Sequence, residues 1–140
     1  MSKKVLVDSD VILDVLEKRE PFYSYSAQIL SLGDEKKIKL FATSLVFANV
    51  YYLLRRYLGK TKARESLRKL RTIVDIIAPG GKEVDLSLNS EFADFEDALQ
   101  YFTALGNKIN LIVTRNVRDY KNSPISITTP QQFVEEFYSP

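Results

Sequence analysis

Aspartates at the end of a short apolar run are the first residues in this chain whose type and spacing point to chemistry. Val5-Leu6-Val7 stops at Asp8-Ser9-Asp10, and Asp14 follows four residues later. Three apolar residues suffice for a central strand of a parallel sheet, buried on both faces. Asp8 then stands at the strand's carboxyl end, the rim where open α/β sheets bind ligands. A plainer role is also open, because Asp8, Ser9 or Asp10 can cap the next helix. Capping explains one acid more readily than three. A second acidic stretch carries Asp85, Glu91, Asp94, Glu96 and Asp97 with no cation among them. Asp94, Asp97 and Tyr101, three and four residues apart, fall on one helical stripe, so two carboxylates share a face.

Clustered carboxylates repel one another and lose hydration, so they need compensation. A hard divalent cation is the simplest. Mg²⁺ and Mn²⁺ take oxygen ligands and are commonly held by a few carboxylates plus substrate phosphate. Such an ion polarises a phosphodiester, lowers the pKa of bound water and orients in-line attack. The chain has no Cys and no His. This excludes disulfides, thiolate nucleophiles, metal sites built on sulfur or imidazole, and a Ser-His-Asp triad. Cation-assisted phosphodiester chemistry requires none of them.

The elements that must position these acids follow from periodicity and punctuation. Helices are predicted over 11–17, 22–32 (ending at Gly33), 45–58 with Ser44 as N-cap, 61–72, and 92–105 (ending at Gly106). A short helix is placed at 87–90, and Pro130 opens a terminal helix through Phe137. Strands are predicted at 5–7, 39–43, 73–78, 109–113 and 125–128, with Pro79-Gly80-Gly81 as a loop. Alternating strands and helices imply an α/β fold, a three-layer α/β/α sandwich around a parallel sheet of four to five strands, in one domain over 1–140. Asp8 and the loop after 113 then leave the sheet at the same edge. The helix over 45–58 is apolar nearly all round, which predicts burial on several sides or packing against a second copy in a homodimer.

Net charge is only +2, but the charges are segregated. Eight cations between Arg55 and Arg71 face the single anion Glu65. A basic flank beside an acidic pocket suits a polyanion held by its phosphates, with Arg55, Arg56, Lys62 and Arg68 as candidate contacts; a solvated helix face is the alternative. Tyr23, Tyr25, Tyr101, Tyr120 and Tyr138 are candidates for base stacking or for packing. No apolar run approaches the roughly 20 residues needed to span a bilayer, and no signal peptide precedes Asp8, so a cytoplasmic protein is expected.

Four segments, in order, resemble the PIN-domain family, which includes the VapC-like toxin ribonucleases: Val5-Leu6-Val7-Asp8-Ser9-Asp10; the helix start from Thr43-Ser44-Leu45 through Asn49 to Leu54; Asp94-Phe95-Glu96-Asp97-Ala98-Leu99-Gln100; and Thr114-Arg115-Asn116-Val117-Arg118-Asp119-Tyr120. The resemblance runs from Val5 to the start of the last helix. It implies a Mg²⁺- or Mn²⁺-dependent endoribonuclease with an RNA substrate and an antitoxin protein as partner. It also implies that Asp8, Asp97 and Asp119 bind the metal. Asp94 assists, Thr114 and Asn116 match polar positions of the last loop, and Asp10 stands where the family usually has Asn or Ser. The main departure is Asn49, where many members carry a Glu.

Two other readings fit parts of the pattern. Asp8-Ser9-Asp10 is similar to the nucleophile and general-acid pair of haloacid-dehalogenase-like phosphatases, with Thr43 or Ser44 as that family's hydroxyl. A PIN-like module that binds RNA or protein without cutting, because of Asn49, is the other.

Overall fold

Val5, Leu6 and Val7 are fully buried, as their unbroken apolar run requires of a strand covered on both faces. They lie in β1 (Lys3–Val7) at the centre of a five-stranded sheet with β2 (Ile38–Thr43), β3 (Val74–Ile77), β4 (Leu111–Val113) and β5 (Ser126–Thr128). This computed structural model describes residues 3–117 and 124–138. Every strand pair is parallel, in the order β3-β2-β1-β4-β5, with Val5 opposite Leu40 and Leu6 opposite Ile112.

The strand period of two sorts the core into two layers. Val5, Val7, Leu40, Ala42, Val74 and Val113 point to one face, where they meet α1 (Ser9–Leu16), α2 (Tyr23–Asp34), α3 (Ser44–Arg71) and α6 (Pro130–Tyr138). Leu6 and Ile112 point to the other, against Tyr101 and Ala104 of α5 (Phe95–Gly106), which packs beside α4 (Gly81–Leu88). The three-layer α/β/α architecture is therefore present. Among the described residues no helix is long and apolar enough to cross a membrane.

Several boundaries differ from the periodicity reading, each for a local reason. The helices predicted over 45–58 and 61–72 form one element interrupted at Gly59, whose φ of 80° suits glycine. Thr43, rather than Ser44, is the N-cap of α3, its hydroxyl accepting from the Val46 N–H at 3.2 Å. A turn of helix starts inside the expected Pro79-Gly80-Gly81 loop, because the Glu83 carboxylate reaches back to accept the Gly80 N–H at 2.7 Å. The short helix placed at 87–90 is the end of that element. Helix α5 begins three residues later than predicted, so Asp94 is its N-cap and not part of the helical stripe. Tyr101 turns inward, buried between Phe92 and Phe102 instead of joining the acids.

Candidate active site: an acidic cleft at the sheet's switch point

The strand order reverses direction at β1, which has β2 on one side and β4 on the other. Connections leaving in opposite directions open a crevice at the carboxyl ends of the strands. Asp8 and Thr114 follow β1 and β4 directly, and the Asp8 N–H donates to the Val113 carbonyl at 3.1 Å, joining the two exits. The cleft above them has a volume of about 500 Å³. Asp8 and Asp10 line its floor, Asn49 and Tyr52 of α3 one wall, and Asp94, Glu96 and Asp97 another.

Asp8 both caps α1 and lines the cleft. Its Oδ1 accepts from the Ser9 N–H at 2.7 Å, capping α1, and from Gln100 Nε2 at 3.1 Å. Its Oδ2 accepts from the buried Thr114 hydroxyl at 2.9 Å. Gln100 lies three residues beyond Asp97 on α5, so this bond ties the helix carrying Asp97 to the end of β1. Asp10 Oδ2 accepts from the Arg115 N–H at 3.1 Å and is 3.4 Å from the Thr114 hydroxyl, while its Oδ1 is buried without a hydrogen-bond donor. Burial, reinforced by the neighbouring Asp8 charge and only partly offset by the Arg115 N–H, pushes the Asp10 carboxyl up to about 6. Asp94 spends one oxygen on the Asp97 N–H at 2.9 Å, the capping bond that starts α5.

Asp8, Asp10, Asp94, Asp97, Asn49 and Asn116 are thus brought to one cleft, with Thr114 buried beneath it. Asp119 lies outside the described residues, as do Arg118 and Tyr120. Among the described residues no three acids converge closely enough to hold an ion by themselves. Arg55, Arg56, Lys62 and Arg68 are exposed along α3, and none of them lines the cleft. Arg55 is joined to it through Tyr52, whose ring centre is 5.3 Å from the guanidinium carbon. Arg68 instead borders a separate groove with Phe47, Leu67 and Ile76.

Three participants escaped the sequence reading. Gln100 had a signal, a polar residue one turn from a candidate ligand on the helix's inner side. Glu96, which the sequence shows only as one acid of the 85–97 stretch, lines the cleft. Arg115 stands in the sequence only as part of a motif, yet its side chain pairs with the fully buried Asp14, Nε to Oδ2 at 3.1 Å.

Residues 4–118 match the model of the PIN domain. The chain belongs to the PIN-domain family. It is 30% identical over 141 residues to Ribonuclease VapC1 of Aquifex aeolicus (strain VF5), spanning 97% of this chain and 96% of that one. Its fold is similar to that in a toxin-antitoxin complex from Klebsiella pneumoniae, with a TM-score of 0.68 and 20% identity over 90% of this chain and 97% of the other. It is also similar to VapBC2 of Rickettsia felis bound to a promoter DNA fragment, with a TM-score of 0.65 and 16% identity over 89% and 96% of the two chains. PIN membership removes the phosphatase reading of Asp8-Ser9-Asp10. Thr43, one of the two hydroxyls that reading offered, is buried and committed to capping α3.

Proposed function

We propose that this PIN domain is a metal-dependent endoribonuclease, the toxin of a toxin-antitoxin pair, that hydrolyses RNA phosphodiester bonds in the acidic cleft. The observation that carries the reading is the gathering of Asp8, Asp10, Asp94, Glu96 and Asp97 around one cavity at the carboxyl edge of the sheet. Its likeness to Ribonuclease VapC1 over nearly the whole chain supports the same reaction.

The donor set fits a hard divalent cation. The cleft gathers carboxylates with the amides of Asn49 and Asn116, all oxygen donors suited to a hard cation, and the buried Asp10 Oδ1 has no hydrogen-bond donor, the charge of that carboxylate being only partly offset by Arg115. Asp8 and Asp97 would hold Mg²⁺ or Mn²⁺ with Asp119, and Asp94 would assist through the oxygen left free by capping. Bound there, the ion would polarise the scissile phosphate and make water a better nucleophile. The chain's own groups do the rest. Thr114 and Gln100 donate to opposite oxygens of Asp8 and fix its plane, as outer-shell donors do. Tyr52 is more than half exposed at the rim, where its ring can stack on a base while Arg55 beside it takes a phosphate.

An antitoxin is the protein partner. Tyr52, Leu53, Tyr57 and Leu58 leave α3 with an exposed apolar side, the surface a partner or a second copy in a homodimer would cover.

A second reading rests on Asn49. It lines the cleft at a position where many members of the family carry Glu. An amide there lowers the negative charge available to a cation, and a protein that binds RNA without cutting it is the consequence. Incubating purified protein with structured and single-stranded RNA in Mg²⁺, Mn²⁺ or chelator separates the two. Internal cleavage that chelator abolishes supports the nuclease. RNA bound with a steep salt dependence and left intact in Mn²⁺ overturns it in favour of the binding module.

A further inference from the structure

We propose that Asp14 and Arg115, outside the cleft, form a positioning pair that holds Thr114, Arg115 and Asn116, the residues that leave β4, onto the carboxylates of Asp8 and Asp10. This deepens the nuclease reading and rests on it for its functional consequence.

Asp10 and Asp14 are one helical turn apart on α1 and face the same way. Arg115 engages both. Its backbone N–H donates to Asp10 Oδ2 at 3.1 Å, and its side-chain Nε lies 3.1 Å from Asp14 Oδ2. The residue is therefore tethered at its main chain and at its side chain to successive turns of one helix. Two contacts from α2 and its approach set the far end. The Ser26 hydroxyl donates to Asp14 Oδ2 at 3.3 Å, and the Phe22 ring lies under the guanidinium, 4.0 Å from its carbon.

Asp14 is fully buried, and the Arg115 guanidinium is the largest support for its charge, with the Ser26 hydroxyl and the Arg19 charge adding to it. A planar guanidinium can pair and stack at once, which an ammonium cannot. Holding Arg115 also holds its neighbours. Thr114 is kept with its hydroxyl on Asp8, and the Asn116 N–H donates to that hydroxyl at 3.1 Å. The candidate ligand Asp119 follows Asn116 three residues later in the sequence. The third acid of the N-terminal cluster thus acts as a support two steps from the chemistry and not as a metal ligand.

The test compares the full chain with Asp14→Asn, Arg115→Met, Arg115→Lys, Phe22→Leu and the double variant Asp14→Asn/Arg115→Met. Phe22 is at the surface, so its replacement leaves a folded protein even if breaking the buried pair does not. The first readout is amide hydrogen exchange, which needs neither metal nor activity. Exchange at residues 114–117 should quicken in Asp14→Asn, Arg115→Met and, to a smaller extent, Phe22→Leu, while β1 and β2 stay protected. The second is the Mn²⁺ concentration giving half-maximal RNA cleavage. It should rise roughly 10-fold or more in Arg115→Met, the range typical of outer-shell losses, and less in Arg115→Lys. A smaller folded fraction would scale the rate without moving that concentration. The double variant should be no worse than the worse single one, because the two residues act as a unit. Unchanged exchange at 114–117 in folded variants, or effects that multiply in the double, overturns the pairing. Failure of the unmodified protein to cut RNA would overturn the nuclease reading instead, with the exchange experiment still deciding the pair.

Discussion

Replacing Asp10 by Asn should stabilise the metal-free protein while weakening its function, and the size of the effect can be worked from the site. Burial and the adjacent Asp8 raise the Asp10 carboxyl from an ordinary 3.8 to about 6. The folded protein therefore holds this proton more tightly than the unfolded chain does. Stability contributed by the protonated group is fully present below pH 3.8 and is lost as pH rises through about 6. At ~1.4 kcal/mol per pH unit, the ionised side chain costs the fold about 3 kcal/mol at neutral pH. An amide removes that cost but keeps an oxygen for the Arg115 N–H, giving up about 1 kcal/mol of charge assistance. The net gain of about 1–2 kcal/mol should raise the melting temperature by roughly 3–8 °C at pH 7.5 in chelator. Melting followed by circular dichroism from pH 3.5 to 8 should show the variant's advantage growing between pH 4 and 6 and vanishing at the acid end. Mn²⁺ affinity, measured by calorimetry, should fall. An Asp10→Asn protein that melts at or below the unmodified one at pH 7.5 would refute the electrostatic picture of the cleft.

Three further outcomes are expected. Asp8→Asn and Asp119→Asn should each weaken Mn²⁺ binding in calorimetry and cut RNA cleavage by about 100-fold or more, and unchanged binding would remove both from the ligand set. Tyr52→Ala should raise the KM for single-stranded RNA by roughly 5- to 150-fold, the loss of about 1–3 kcal/mol of stacking, with kcat nearly constant; an equal effect on a double-stranded substrate would argue against stacking. Gly33→Ala should lower stability by about 1–3 kcal/mol in chemical denaturation, because the added Cβ runs into Leu40 Cδ1 and Cγ in a packed core, and an unchanged midpoint would show that Leu40 has room to move.

The apolar triplet ending at Asp8 already defined a central strand and placed an acid at its exit, because burial on both faces leaves a compositional mark that needs no knowledge of neighbours. The alternation of such strands with amphipathic helices defined the sandwich for the same reason, and the acids of the 94–97 segment were legible as a group. Partners were not. Hydrophobic period tells which face of α5 turns inward, but only the strand order sets Gln100 beside Asp8 and lets Glu96 into the cleft. The start of α4 depended on one glutamate reaching back to Gly80, a bond that a Pro-Gly-Gly signal conceals. Asp14 read as a surplus acid and Arg115 as a motif filler, since a buried ion pair between residues from opposite ends of the chain has no signature until β1 and β4 lie side by side. Local composition decided the elements and where charge would collect; the sheet's topology decided which charges meet, because side-chain contacts across the fold depend on distances that only the packed layers set.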